Sequence, residues 1–296
     1  MSNLLACFFL LGQLCSFLAH KKFATEFVDR GGMKSLLAVP REPYVTGSVG
    51  LCFLGLASLS SVMEKVCLLP EPTTYRLVEY CIWLISGSHE TARKNGALFF
   101  NLGFAFRTVL QLFDSMDGLR VLINLITTVN FAEEPSQLVK IVVHHACLAL
   151  RQYFRMHLNL VCDQMKRKIA RTSRDQQPPL PAPAYKVTQI DTNSTNLSIS
   201  FTEKNYPVFL ATSHRWAPIE LFMKHDAIQT LLQLSKVAQD WEMLDLIRLI
   251  FETLQIVSLC KRSAFCSLFF LSSLDFFSFC ILSLSSDSDF PPSLQN

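Results

Sequence analysis

Charge is scarce in this 296-residue chain: Asp, Glu, Lys and Arg make up 17% of it, against about a quarter in ordinary soluble domains. A net charge of +3 lacks the strongly basic signature of nucleic-acid binding, so no nucleic-acid partner is expected. Paired-cysteine motifs are missing too. None of the ten cysteines stands in a C-x-x-C pair, and most, such as Cys52, Cys81 and Cys147, lie in apolar runs where a free thiol behaves as a small hydrophobe. Buried thiols in a reducing compartment are expected rather than disulfides. The chain has no H-R-D loop, D-F-G ligand, G-x-S-x-G elbow or H-E-x-x-H helix. Phosphoryl transfer of the usual kinase kind, serine hydrolysis and zinc proteolysis therefore lack their reacting groups. No catalysis, cofactor or metal is expected.

Clear alternating strands are absent as well, and helical spacing runs almost throughout. Leu77, Cys81, Leu84 and Ile85 recur at helix intervals, as do Leu98, Leu102, Ala105 and Val109. A long helix is predicted from about Ser136 to Ala170. DQQPPLPAPA follows, and its prolines cannot continue a helix. The polar TQIDTNSTNLSIS extends it into a loop, and helical pattern resumes near Trp216.

FVDRGGMKSLLAV, at residues 27–39, sets two glycines before a leucine run. They suit either a phosphate cradle or a repeated turn. No strand precedes them and no Lys-Ser or Lys-Thr follows, which disfavours the cradle. FDSMDGLRVLINL at 113–125 and FMKHDAIQTLLQL at 222–234 align with this stretch without a gap. Met33, Leu36 and Leu37 match Leu119, Leu122 and Ile123, then Ile228, Leu231 and Leu232. Each triplet is an i, i+3, i+4 stripe that buries one helix face, and the Gly or Asp before it supplies a turn or cap. The intervals of 86 and 109 residues fit two armadillo or HEAT units of about 40–47 residues each, the second with the Pro-rich insertion. The predicted fold is an all-α, armadillo/HEAT-like α-solenoid. Helical repeats are expected over residues 18–171 and 206–259, split by a Pro-rich, polar loop at 172–205.

AHKKFATEFVDRGGMKSLLAVPR, MEKVCLLP, LVEYCIWLISGSHETARKNGALFFNLGFAFRTVLQLFDSMDGLRVLINLI, VVHHACLALRQYFRMHL and HRWAPIELFMKHDAIQTLLQL occur in this order. From about Leu18 to Leu259 they closely resemble the Vpr-binding protein family, also called Mahjong. The resemblance implies the armadillo-like region of a substrate receptor of a cullin-four RING ubiquitin ligase. The family pattern adds a dimerising helical motif, a WD-repeat propeller and an acidic tail. This sequence holds no W-D-x-R motif and no acidic tail, so the resemblance implies a chain truncated before the adaptor-docking propeller. Its expected partners are proteins, full-length receptor chains among them, with the ligase adaptor reached only indirectly. The family's association with kinase activity finds no kinase motif here.

The basic run Lys166, Arg167, Lys168, Arg171 and Arg174 reads as a nuclear-import signal or acidic-partner patch, or as a solvated helix end whose cations oppose the helix dipole. Nucleus and cytoplasm are the expected locations. His144, His145 and Cys147, with His157 or Cys162, invite a zinc reading. Cys147, however, continues an apolar stripe with Val143 and Leu150, and two ligands do not complete a tetrahedral site. Pro178-x-x-Pro181 is a plain linker more than a ligand, and the sequons at Asn193 and Asn196 are expected to be silent.

The ends are the most apolar parts. Residues 1–17 are an apolar segment in which LLACFFLLGQL has the length of a signal-peptide core, but no Lys or Arg precedes it, and Phe17 would occupy the −3 position for cleavage after Ala19. Residues 260–296 form a Phe/Ser/Leu-rich tail. Ala264 to Leu284 would span a bilayer with Asp275 near its centre, at roughly 2.5–3.5 kcal/mol. The same residues share pyrimidine-rich codons, so a non-native or alternative terminus is preferred. A membrane-tethered helical adaptor is the alternative.

Overall fold

The computed structural model describes residues 2–87, 89–128, 135–172 and 217–258. Among these residues there are thirteen helices and no strand. They are α1 (Ser2–Leu18), α2 (Lys21–Asp29), α3 (Gly32–Leu37), α4 (Pro43–Ser58), α5 (Ser60–Cys67), α6 (Glu71–Gly87) and α7 (Glu90–Gly103). Then follow α8 (Arg107–Ser115), α9 (Gly118–Thr127), α10 (Gln137–Thr172), α11 (Ala217–Lys224), α12 (Ala227–Asp240) and α13 (Leu244–Ser258). The Pro-rich loop from residue 173, the stretch to residue 216 and the tail from 259 lie outside the described residues. So do Pro178, Pro181, Asn193, Asn196 and the candidate span at 264–284.

After α1 the helices group in threes: α2–α4, α5–α7, α8–α10 and α11–α13. The third helix of each unit packs on the third helix of the next, so α1, α4, α7, α10 and α13 form one row. Behind it, α6 packs on α7, α9 on α10 and α12 on α13. This is an all-α helical solenoid, in which each unit buries its apolar face against its neighbours.

The aligned segments are the joints between first and second helices. Gly31, Asp117 and Asp226 occupy the same motif position and all adopt left-handed backbone, with φ of 79°, 56° and 48°. Each donates its N–H to the carbonyl three residues back: Gly31 to Val28 at 3.0 Å, Asp117 to Asp114 at 3.2 Å, Asp226 to Met223 at 3.2 Å. That closes the first helix and turns the chain into the second. The stripes behave as the spacing predicts. Met33, Leu36, Leu37, Leu119, Leu122, Ile123 and Leu231 are buried, while Ile228 and Leu232 pack half-buried against the core.

Two sequence expectations require correction. The 109-residue interval was expected to hold two units, yet α11 and α12 pack directly on α9 and α13 packs on α10. The α11–α13 unit therefore stands beside α8–α10, with one unit and residues 173–216 between the motifs. The stripe Leu98, Leu102, Ala105 and Val109 is not one helix face. Backbone bonds from Ala105 to Leu102 and Phe106 to Gly103 end α7 in a tight turn. Val109 is fully buried on α8, but Leu98 and Ala105 are half-buried and Leu102 is exposed, and burial near the turn falls to Phe99, Phe100, Phe104 and Phe113, whose rings remove more apolar area from water than the leucines.

The long helix is present as α10, and Ser136 starts it: its Oγ accepts from the Val139 N–H at 3.4 Å. α1 packs on α4 with Leu11 and Leu18 buried, and Phe9, Leu10 and Phe17 remain exposed. No single described helix is long and apolar enough to cross a membrane. The bent pair α4–α5, at 104°, passes by length and composition, but Val49, Phe53, Val62 and Val66 of that pair are fully buried in the core.

Candidate protein-binding surface

The row of third helices is held by polar contacts as well as packing. His89, which caps α7, accepts the Ala92 N–H on Nδ1. Its Nε2 therefore carries the proton and donates to the Pro43 carbonyl at 2.8 Å. Asn95, buried on α7, donates from Nδ2 to the Gly47 carbonyl of α4 at 2.9 Å. Gly50 lets α4 approach this point, since a Cβ there would meet Leu84 and Asn95 at 3.1 and 3.2 Å. On the other side, Arg151 of α10 reaches Glu252 of α13 at 2.5 Å, and Arg248 shares that carboxylate at 2.8 Å. Burial raises the Glu252 pKa, but the two guanidinium groups outweigh it and hold it below the ordinary carboxylate value.

With neighbours on both sides and second helices behind, each third helix keeps one open stripe. Some large apolar side chains stay exposed on it, Tyr44 and Leu51 on α4 at 78% and 46%, Leu102 on α7 at 36% and Leu244 on α13 at 55%, while Phe23, Tyr75 and Met223 are exposed on helices outside the row.

Between α10 and the α12–α13 turn the row opens into a groove of about 540 Å³, lined by Ile141, His144, His145, Glu242, Met243, Leu244 and Asp245. The turn is tightly built. Glu242 is left-handed at φ 58°, donating to Gln239, while Met243 donates to Ala238, the paired bonds of a Schellman motif. Burial, helped by His144 and Lys94, pushes the His145 pKa down to about 4. His144 is lowered too, by burial and Arg151, with Asp245 opposing. Both imidazoles are neutral at pH 7, so the groove wall presents aromatic and apolar surface with acidic groups at its rim.

A pH dependence follows. An imidazole lowered from 6.5 to about 4 on folding stays neutral in the fold, while the unfolded chain binds a proton below its ordinary value. The stability contribution is thus complete above pH 6.5 and drains as pH falls toward 4. Screening at this half-exposed site reduces it to about 1 kcal/mol. Between pH 7 and pH 5, the melting temperature is expected to fall about 2–4 °C further in the native chain than in His145→Gln. Equal falls in thermal melts at the two pH values would contradict this.

Other sequence candidates separate. Val143, Cys147 and Leu150 are all buried, and burial pushes the Cys147 thiol up to about 12, so this thiol belongs to the core. His157 faces Asp114 of α8 instead, Nε2 lying 3.2 Å from Oδ2, and Tyr153 donates to Oδ1 of the same carboxylate at 2.6 Å. Among the described residues no group of three or more His, Cys, Asp or Glu side chains is placed to hold a metal ion. Lys166, Arg167, Lys168 and Arg171 fall in the last part of α10, with Arg167 half-exposed, and Arg174 lies outside the described residues. The groove itself was missed from sequence, because its two walls are about a hundred residues apart.

Known relatives agree with this architecture. Residues 4–70 match the family model of the Mahjong helical domain and residues 143–285 that of the DCAF1 helical domain. The second match continues past Leu259, where the motifs read from sequence end. Protein mahjong of Drosophila melanogaster is 30% identical over 250 residues, covering 78% of this chain. The DDB1- and CUL4-associated factor homolog 1 of Arabidopsis thaliana is 33% identical over 264 residues, covering 83% of it. The Caenorhabditis elegans protein of the same name is 31% identical over 166 residues, or 53% of this chain. This chain spans 16%, 14% and 10% of the length of these relatives. With the described parts of both helical-domain matches lying on one stack of three-helix units, the chain belongs to the Mahjong (DCAF1, Vpr-binding protein) family.

Proposed function

We propose that this chain is a protein-binding helical scaffold, acting as part of a substrate receptor of a cullin–RING ubiquitin ligase. In this reading the open stripes of α4, α7, α10 and α13 hold a protein, and the ligase adaptor is reached through other receptor segments. The observation that carries the reading is a stack of three-helix units that matches the helical domains of this family and leaves Tyr44, Leu51, Leu102 and Leu244 exposed on its third helices. The relatives support it: two bear names that associate them with DDB1 and CUL4. The scaffold works by positioning proteins and uses no catalytic group of its own. The basic run at the end of α10 serves nuclear import or an acidic partner, giving a nuclear and cytoplasmic protein.

The test is affinity capture in cells lacking full-length receptor, with the triple variant Leu51→Asp, Leu102→Asp, Leu244→Asp as control. Exposed positions of this kind change stability little, so the variant is expected to melt like the native chain. Its recovery of specific partners is expected to drop at least about tenfold, as when central apolar contacts of an interface are lost. Stoichiometric recovery of the adaptor in these cells, or identical partner sets for the two proteins, would overturn the reading.

A further inference from the structure

We propose that Cys15 and Cys52 form a peroxide-sensitive oxidation site, in which a disulfide locks helix α1 onto α4. The two Sγ atoms are 3.6 Å apart across the α1–α4 contact, although 37 residues separate them in sequence. Both thiols are free, and the surroundings hold them in place. Cys52 Sγ lies 3.7 Å from the Leu11 carbonyl and Cys15 Sγ lies 3.9 Å from that of Ser48. Exposure divides their roles, for Cys15 is half-exposed and Cys52 fully buried. The acidities point the same way. The Cys52 hydrogen bond lowers the Cys15 pKa against the opposing effect of burial. Cys52 is pushed far up by its bond to Cys15 and by burial.

The oxidant is a hydroperoxide, with hydrogen peroxide the simplest case. The Cys15 thiolate attacks one peroxide oxygen; an S–O bond forms, the O–O bond breaks, and the departing hydroxide takes a proton to become water. Cys15 is then a sulfenic acid. The Cys52 sulfur attacks the Cys15 sulfur, the S–S bond forms, the S–O bond breaks, and the leaving hydroxide takes the Cys52 proton as a second water. Two thiols have lost two electrons and two protons, and one peroxide has become two waters. α1 packs on α4 and, more lightly, on α2, so a covalent tie at Cys15 and Cys52 fixes α1 on α4 at its main contact.

The test uses the full chain and hydrogen peroxide, read by peptide mapping without reduction. A peptide pair joined through Cys15 and Cys52, lighter by two hydrogens, is expected before any link involving other cysteines. Oxidised protein should melt several degrees higher than reduced protein, and a thiol reductant should reverse the shift. Cys52→Ser is expected to accumulate Cys15 sulfenic acid, trapped by a dimedone-type reagent, and to lose the thermal shift. Cys15→Ser should leave Cys52 unmodified. Direct passage of Cys15 to sulfinic acid in the native chain, persistence of both thiols, or preferential linkage of another pair would each overturn the proposal.

Discussion

Replacing Phe113 by Ala is expected to remove about 3–5 kcal/mol of stability, a large part of what a domain of this size holds. The ring is fully buried. Its centroid lies 4.7 Å from that of Phe100, 4.8 Å from Phe104 and 5.6 Å from Tyr153. The ring thus bridges α7, α8 and α10. Collapse around the missing ring is restricted, because Phe100 and Phe104 are held at the end of α7 and Tyr153 on α10, where its bond to Asp114 at 2.6 Å also fixes it. The cavity therefore persists and adds to the lost transfer energy. At 2–4 °C per kcal/mol the melting temperature should drop by roughly 10 °C. The matched change Phe27→Ala should cost much less, since Phe27 is only partly buried. Urea unfolding of both variants checks this, and equal costs, or a cost below about 1 kcal/mol for Phe113→Ala, would contradict it.

Adding a single methyl at Gly118 is the second large effect. A Cβ there would lie 2.5 Å from Cδ2 and Cε2 of Phe113, and a Cβ at Gly32 would lie equally close to the Phe27 ring. A side chain can turn away only if it has somewhere to go. Phe27 is part-exposed and can shift, whereas Phe113 is enclosed by Phe100, Phe104 and Tyr153. Gly118→Ala is therefore expected to cost about 1–3 kcal/mol by overpacking, and Gly32→Ala less than about 1 kcal/mol. The α11–α12 joint carries Ala227 at this position, and both Ala227 and Phe222 are buried, so a joint of this kind can hold a methyl. Chemical denaturation of the two variants provides the comparison. A larger loss at Gly32 than at Gly118 would show that ring confinement does not govern these joints.

Local features were legible in the sequence and distant ones were not. Gly31, Asp117 and Asp226 could be aligned because a left-handed turn restricts the residues that tolerate it, and the apolar triplets after them are set by helix period. The α5–α6 joint escaped the alignment for a physical reason. It turns at Pro70, whose carbonyl accepts from Thr73 at 2.8 Å, and needs no left-handed residue. The break after Gly103 was hidden because apolar residues continue across it in helix register. The contacts that shape the surface, Cys15 with Cys52 and Arg151 with Glu252, join residues 37 and 101 apart. No periodicity in one segment encodes which partner another segment will meet. The resemblance pointed to the family and to the kind of surface, and packing shows which side chains the row leaves open.

In the proposed function the open stripes of the third helices bind a protein. Amide hydrogen exchange of the chain alone and with a captured, purified partner tests it most directly. Slowed exchange on binding is expected to concentrate in α4, α7, α10 and α13, around Leu51, Leu102, His144 and Leu244. Protection confined to the first helices α2, α5, α8 and α11, with the third-helix row unchanged, would contradict it.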